Sequence, residues 1–379
     1  MKILIAPNAF KGSLDAFEVA DAIAEGLAKG LARADMILMP IADGGDGTLA
    51  VLLAALGGEA LQNEVIGPLG RPVIAQWGLA GDRATAIVEM ARASGLALLR
   101  AEERDPMMAT SYGAGQLVGA ALDRGCRRIV VALGGSASVD GGAGLAEALG
   151  ARLLDGSGTP IGRGGGALAA LEHIDVAGLD GRLANAEIIA LCDVDSPLLG
   201  PEGAARRFAP QKGATDAMVE ALESNLTRLA EVIARDLGRD IRNAEHAGAA
   251  GGVAAGIAGI LGGRLVRGID FVLECLRFDE RLEGCDWVVT AEGSLDRQTL
   301  GNKGPYGVAR AAQGRGIPVL ALTGALPDDF NREDFSIFQA ILSICPRPMT
   351  LDEALGRTRQ RLAATAEEVG RLLLLPRPK

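Results

Sequence analysis

Short apolar runs of strand length recur along the chain, at residues 3–6 (ILIA), 36–41 (MILMPI), 128–133 (RIVVAL), 187–191 (EIIAL), 287–290 (WVVT) and 318–322 (PVLAL). Most lack the polar alternation of a half-solvated strand, so they predict strands covered on both faces. Between several of them lie stretches of helical period. Residues 16–31 carry Val19, Ala20, Ile23, Ala24 and Leu27 on one stripe, the 3.6-residue repeat of an amphipathic helix. Strand, helix, strand in succession predicts a parallel α/β sheet.

One region breaks that rhythm. Residues 72–79 (PVIAQWGL) and 84–90 (ATAIVEM) are apolar runs separated by Ala80, Gly81, Asp82 and Arg83, the pattern of an antiparallel hairpin. The hairpin is expected to open a second, mixed domain. Because the last strand-like runs are of the same type as the first two, both chain ends are expected to build one domain. That gives a parallel, doubly wound (flavodoxin-like) α/β domain from residues 1–62 plus 285–379, around an inserted mixed α/β domain from residues 63–284. At 379 residues the chain is too long for one ordinary core, which fits two domains.

Composition narrows the chemistry. Lys and Arg number 38 against 48 Asp and Glu, a formal charge of −10, which argues against a nucleic-acid partner bound through a broad basic surface. Five cysteines without a CxxC pair suggest neither a disulfide framework nor a thiolate zinc site. The first residues hold too short an apolar run for a signal-peptide core, and residues 247–263, though uncharged, are mostly Gly and Ala and too short for a membrane span. The expectation is a cytoplasmic protein with no membrane partner, the Gly/Ala run serving tight internal packing. With His173 and His246 the only histidines, a catalytic triad or a His-rich metal site has almost no material.

The loop text after each strand carries the candidate chemistry: PNAFKGS (7–13), ADGGDGT (42–48), GGSASVDGGAG (134–144), CDVDSPL (192–198), AEGSLD (291–296) and TG (323–324). In a parallel sheet such loops emerge at the carboxyl edge, where open α/β folds bind ligands. The loop from Gly134 and Gly135 through Ser136 and Ser138, leading into a helix through Leu149, reads as a phosphate cradle of backbone N–H groups at a helix start. The loop carboxylates Asp43, Asp46, Asp140, Asp193, Glu292 and Asp296 include hard oxygen donors of the kind Mg²⁺ takes beside phosphates. Of the six lysines, Lys11, Lys212 and Lys303 lie in Gly-adjacent loop text, where an ammonium can meet a phosphate or carboxylate oxygen. No GxxxxGK[ST] loop is present, and Gly113, Gly115 and Gly119 miss the dinucleotide spacing.

Taken together, APNAFKGSL, ADGGDGT, ATSYGAGQL, LGGSASVDGGAG, CDVDSPL, FAPQKGAT, AGAAGG, EGSLDRQT and the text at 301–309 resemble the type-1 glycerate kinase family, in order and over nearly the whole chain. The chain departs from the family pattern at Asn8, Ala9, Val139, Ala291 and Ser294. The resemblance implies two α/β domains with the active site in a cleft between them, and transfer of the γ-phosphoryl group of ATP to D-glycerate, giving mostly 2-phosphoglycerate as in bacterial glycerate 2-kinases. It also implies closure of the domains on substrate.

Carried over by motif, the resemblance implies that ATP is held by Gly134, Gly135, Ser136 and Ser138, with Gly44, Gly45 and Lys303 as further nucleotide contacts. Mg²⁺ would be held by Asp43, Asp46 or Asp296, and Lys11, Lys212 or Arg71 would meet the glycerate carboxylate or the moving phosphoryl group. Ser13, Gln211 and Glu292 would line the substrate side, and Asp193 would accept the hydroxyl proton. The competing readings are a kinase for another small hydroxy or sugar acid, a 3-phosphoglycerate-forming kinase, a non-catalytic nucleotide sensor, and an NAD-linked dehydrogenase. The oligomeric state is left open.

Overall fold

A computed structural model of the chain describes residues 1–295 and 303–374. Among these, thirteen strands follow in chain order: β1 (Lys2–Ile5), β2 (Asp35–Leu38), β3 (Gly58–Ile66), β4 (Pro72–Ala80), β5 (Thr85–Glu89), β6 (Arg128–Ala132), β7 (Arg152–Leu154), β8 (His173–Asp175), β9 (Glu187–Cys192), β10 (Arg264–Arg267), β11 (Trp287–Ser294), β12 (Val319–Ala325) and β13 (Ala340–Ser343). The chain divides into two units, Met1–Asp43 with Ile269–Lys379, and Gly44–Gly268. The seams expected near residues 62 and 285 are displaced from these divisions. Residue 62 falls inside β3, which pairs residue for residue with β4, so the strand goes with its partner.

The first unit holds a parallel sheet in the order β13-β12-β11-β1-β2. Numbered within the unit, that is the 2-1-3-4-5 order of flavodoxin-like doubly wound sheets, whose ligand crevice lies where the order reverses, between β1 and β11. Ile3 and Ile5 feed one apolar layer and Leu4 and Ala6 the other, so the strand is covered on both faces as its unbroken apolar text requires. The helix Ala16–Gly30 starts on an Asp15/Glu18 capping box and buries Val19, Ala20, Ile23 and Leu27. Against it runs the helix Thr358–Leu373, so close that a Cβ on Gly26 would fall 2.1 Å from the Ala363 carbonyl oxygen.

The second unit holds a mixed six-stranded sheet in the order β10-β9-β6-β5-β4-β3, parallel from β10 to β5 and antiparallel from β5 to β3. The hairpin read at 72–90 is β4 and β5, but β3 precedes it as a third antiparallel strand. A separate apolar cluster joins the helix Asp216–Leu237 to the small β7-β8 pair. The Gly/Ala run packs as expected: Val253, Ala254, Ala255 and Ile257 are buried, and a Cβ on Gly256 would meet the Gly141 carbonyl oxygen at 2.4 Å. The six loops therefore arise from two sheets, those after β6 and β9 from the mixed one. Among the described residues no helix is long and apolar enough to cross a membrane.

Candidate functional site

In the second unit two glycine-rich loops lie directly against each other. The Gly134 N–H donates to the Gly44 carbonyl at 2.9 Å, and a Cβ built on Gly134 would fall 2.4 Å from the Gly45 Cα. Gly44 itself has φ +102°, and its Cβ would lie 2.9 Å from the Leu191 carbonyl oxygen, so both steric and dihedral reasons exclude a larger residue. Gly135, at φ +75°, sits against Asp46, whose Oδ1 lies 3.1 Å from the position of a Cβ. Five residues proposed from the sequence, Gly44, Gly45, Asp46, Gly134 and Gly135, thus form one cluster at the carboxyl end of β6.

Lys212 reaches the next residues of the same loop. It ends a short turn, Pro210–Lys212, closed by Gly213 at φ +96°. Its Nζ donates to Ser136 Oγ at 2.8 Å and to the Ser138 carbonyl at 2.7 Å, with the side chain buried. Burial lowers its ammonium from the usual 10.5 to about 7, while the charges of Asp140 and Asp193 act in the opposite sense. The Ser138 hydroxyl is fully buried and has no hydrogen-bond partner among the described residues. Gln211, next to Lys212 in the chain, is exposed.

The helix start offered by the loop is already occupied. Asp140 is completely buried and accepts from the Gly142 and Gly144 N–H groups at 3.2 and 3.3 Å, and from the Ser111 N–H and hydroxyl at 2.8 Å each. Ser111 Oγ in turn accepts from Leu145 N–H at 2.9 Å. At the helix Thr48–Leu56, buried Glu89 accepts from Leu49 N–H at 2.8 Å. In the first unit Asp43 does the same at the helix Gly304–Gln313, accepting from Gly304 N–H at 3.1 Å. Each of these helix starts is thus met by the chain's own carboxylate, a favourable pairing with the helix dipole. The Gly142 and Gly144 N–H groups at the helix start after β6 are therefore engaged within the chain.

Asp193 follows β9 directly and its charge acts on Lys212. The neighbouring Cys192 is buried, and burial pushes its thiol up, which makes it a packing residue and not a nucleophile. Beyond Asp193 the loop is held by His246 and Arg267, and Arg267 also pairs with Glu245. His246 Nδ1 lies 2.9 Å from the Val194 carbonyl oxygen and 3.2 Å from Asp195 Oδ1. Arg267 lies 3.7 Å from Asp195 and 3.3 Å from Glu245. The three ligand-type residues Asp195, Glu245 and His246 converge, but the guanidinium already supplies the positive charge there.

In the first unit Asp43 accepts from Asn8 Nδ2 at 3.1 Å as well as from Gly304, both through Oδ2. Lys303 is the residue preceding that helix. The loop after β1 crosses the point of order reversal, Asn8 N–H donating to the Ala291 carbonyl at 2.8 Å, and it carries Lys11 at an exposed position. Ser13 is turned elsewhere: its Oγ lies 2.9 Å from the Leu355 carbonyl and 2.7 Å from Thr358 Oγ1, tying the loop to the C-terminal helices. Glu292 lies in β11, in register with Thr323 of β12. Asp296 lies outside the described residues.

Arg71 stands exposed in the β3–β4 turn and pairs with Glu103 at 2.9 Å. Arg100 and then Arg71 hold the Glu103 carboxyl down at about 2. Sequence reasoning passed over Ser111, Glu89 and His246. The ATSY text before a Gly-rich helix marks Ser111 as a helix-start residue, but nothing in the periodicity distinguishes the other two.

The sequence profile of the Glycerate kinase family matches residues 3–374. The chain is 45% identical over 369 residues to a protein named glycerate kinase from Bacillus subtilis (strain 168), covering 97% of each. It is 44% identical over 372 residues to one named glycerate 2-kinase from Escherichia coli (strain K12), covering 96% of this chain and 98% of that one. A crystal structure from Salmonella typhimurium LT2, named provisionally as glycerate kinase 2, superposes with a TM-score of 0.82 at 43% identity and 98% coverage of both chains. With nine sequence blocks in order, a flavodoxin-like sheet, an inserted mixed unit and these full-length likenesses, the chain belongs to the glycerate kinase family.

Proposed function

We propose that this protein transfers the terminal phosphoryl group of ATP to the 2-hydroxyl of D-glycerate, forming 2-phosphoglycerate and ADP, as a cytoplasmic enzyme that uses Mg²⁺. The observation that carries the reading is the buried Lys212 ammonium, which bonds Ser136 and Ser138 in the loop stacked on Gly44 and Gly45. A cation dehydrated among neutral oxygens is poised for an anion, and phosphoryl transfer asks chiefly for charge neutralisation and alignment. The name of the Escherichia coli relative, a glycerate 2-kinase, supports the choice of hydroxyl.

In this reading Ser136 and Lys212 meet phosphate oxygens, with Gly134 and Gly135 admitting them to the backbone. The acceptor hydroxyl loses its proton to the Asp193 carboxylate as its oxygen bonds the γ-phosphorus and the bond to the ADP oxygen breaks. Lys11 and Arg71 bind the glycerate carboxylate, Gln211, Glu292 and Ser13 flank it, and Lys303 contacts the nucleotide. Ser13 contributes through its backbone and its hold on the loop, because its hydroxyl is spent on the C-terminal helices.

The carboxylates fit Mg²⁺ in type, being hard oxygen donors. Exposed Asp46, beside Gly135, fits better than Asp43, whose Oδ2 serves a helix start; Asp296 is the other candidate. Bound there, the ion would supply charge neutralisation on the phosphates.

The test incubates the protein with Mg²⁺, ATP and D-glycerate and follows the product with enolase, with and without phosphoglycerate mutase. Signal with enolase alone is expected. A signal that requires the mutase would overturn the 2-hydroxyl assignment, and ADP release only with another hydroxy acid would overturn glycerate.

A further inference from the structure

His246 is buried, with its backbone in the left-handed region at φ +69°, a conformation costly for a residue with a Cβ. Its ring faces two acceptors, the Val194 carbonyl at 2.9 Å and Asp195 Oδ1 at 3.2 Å, so Nδ1 carries a proton and donates it. Two residues on, Gly248 N–H donates to the Ser196 carbonyl at 2.9 Å, and a Cβ there would fall 2.2 Å from the Pro197 carbonyl oxygen. The segment from His246 to Gly248 therefore grips four successive residues of the loop that begins at Asp193.

The same segment also backs the other side of the site. Ala250, Gly251 and Gly252 form a left-handed turn, at φ +56°, +69° and +86°. Gly251 is pressed so closely on Ser138 that its Cβ would lie 2.2 Å from the Ser138 carbonyl oxygen, the atom to which Lys212 donates. Gly251 in turn accepts from the Gly141 N–H at 3.1 Å. One short segment thus bears on the Asp193 loop through His246 and on the Lys212 acceptor through Gly251.

We infer that His246 is a positioning residue: its hydrogen bond to the Val194 carbonyl sets the Asp193 carboxylate against the Lys212–Ser136 pair. The inference rests on the proposed role of Asp193 as proton acceptor. The alternative use of His246, as a cation ligand with Asp195 and Glu245, is opposed by Arg267 pairing with both carboxylates. Small displacements of a reacting group are costly: a shift on the order of 1 Å can lose about a hundredfold in rate. A strained, buried, hydrogen-bonded side chain adjoining such a group fits that need.

Four variants test this: His246→Asn, His246→Gly, Asp193→Asn and the double variant Asp193→Asn/His246→Gly, with circular dichroism and melting curves to confirm folding. Asn tolerates the left-handed backbone and places an amide N–H where Nδ1 stands. It is expected to keep kcat within about threefold. Gly removes the strain but also the bond, and is expected to lose kcat about 10–100-fold while the KM for ATP changes little. In an Asp193→Asn background the further loss from His246→Gly is expected to vanish. Near-normal turnover of His246→Gly, or the same loss with and without Asp193, would overturn the inference. Near-normal turnover of Asp193→Asn alone would overturn the base assignment on which it rests.

Discussion

The Lys212 ammonium lies 2.8 Å from the Ser136 hydroxyl and is buried with two neutral oxygens as its partners, a cation taken out of water without a carboxylate in contact. Folding carries an energetic cost for this. The ammonium titrates at about 7 in the folded chain and at 10.5 when exposed, so between those values the unfolded chain binds the extra proton and stability rises with pH. Below about pH 7 the whole penalty is present, on the order of 5 kcal/mol. Urea midpoints measured at pH 7 and pH 9.5 are expected to rise for the native chain and to stay much flatter for Lys212→Met. The same variant is expected to lose about 10²–10³ in kcat.

Gly134→Ala asks a different question, whether the close stacking of the two loops matters. Its methyl group would fall 2.4 Å from the Gly45 Cα, a backbone atom that no rotamer change can clear. The loops must part, and a destabilisation of about 1–3 kcal/mol is expected in urea titration, as for other overpacked sites. The KM for ATP is expected to rise at least about tenfold, because parted loops no longer present Ser136 where Lys212 holds it.

Asp140 is held by backbone and hydroxyl donors, so replacing one carboxylate oxygen with an amide NH₂ turns an acceptor toward a donor. Asp140→Asn is expected to lower unfolding stability by about 2–4 kcal/mol. The loss should be visible as a shifted urea midpoint with an unchanged slope.

Much of the fold was legible because its signals are local. The apolar runs at 3–6, 128–133 and 287–290 mark strands β1, β6 and β11 wherever they pair, and the period in residues 16–31 marks a helix whatever it packs on. β3 was missed: its text, GEALQNEVI, is polar and largely exposed, so only its pairing with β4 makes it a strand. The seam near residue 62 moved for the same reason. In the candidate site, the Gly-rich loops were legible by their text. The partner of each helix start was not, because Glu89 lies 40 residues from Leu49, and Asp43 lies 261 from Gly304. A dipole argument from the loop alone offers those N–H groups to a phosphate, whereas the fold brings a carboxylate to them first. His246 was passed over because its effect depends on a backbone angle and on Val194, neither of which a sequence displays.

Asp43 and Asp46 share one loop text but face different tasks, and a pair of substitutions separates them. Asp43 accepts from Asn8 and Gly304 through one oxygen, and Asn at position 43 keeps an oxygen for both donors while dropping the charge. If Asp43 acts as a helix cap, Asp43→Asn should stay close to native in melting temperature and turnover, while Asp43→Ala should lose about 1 kcal/mol. Asp46 is exposed beside Gly135 and is the proposed Mg²⁺ ligand of the two. Asp46→Asn should therefore raise the Mg²⁺ concentration needed for half-maximal rate, since a neutral amide is a far poorer ligand for a hard cation. Magnesium titrations of both Asn variants at saturating ATP read this directly: a raised requirement in Asp43→Asn with none in Asp46→Asn would reverse the two assignments.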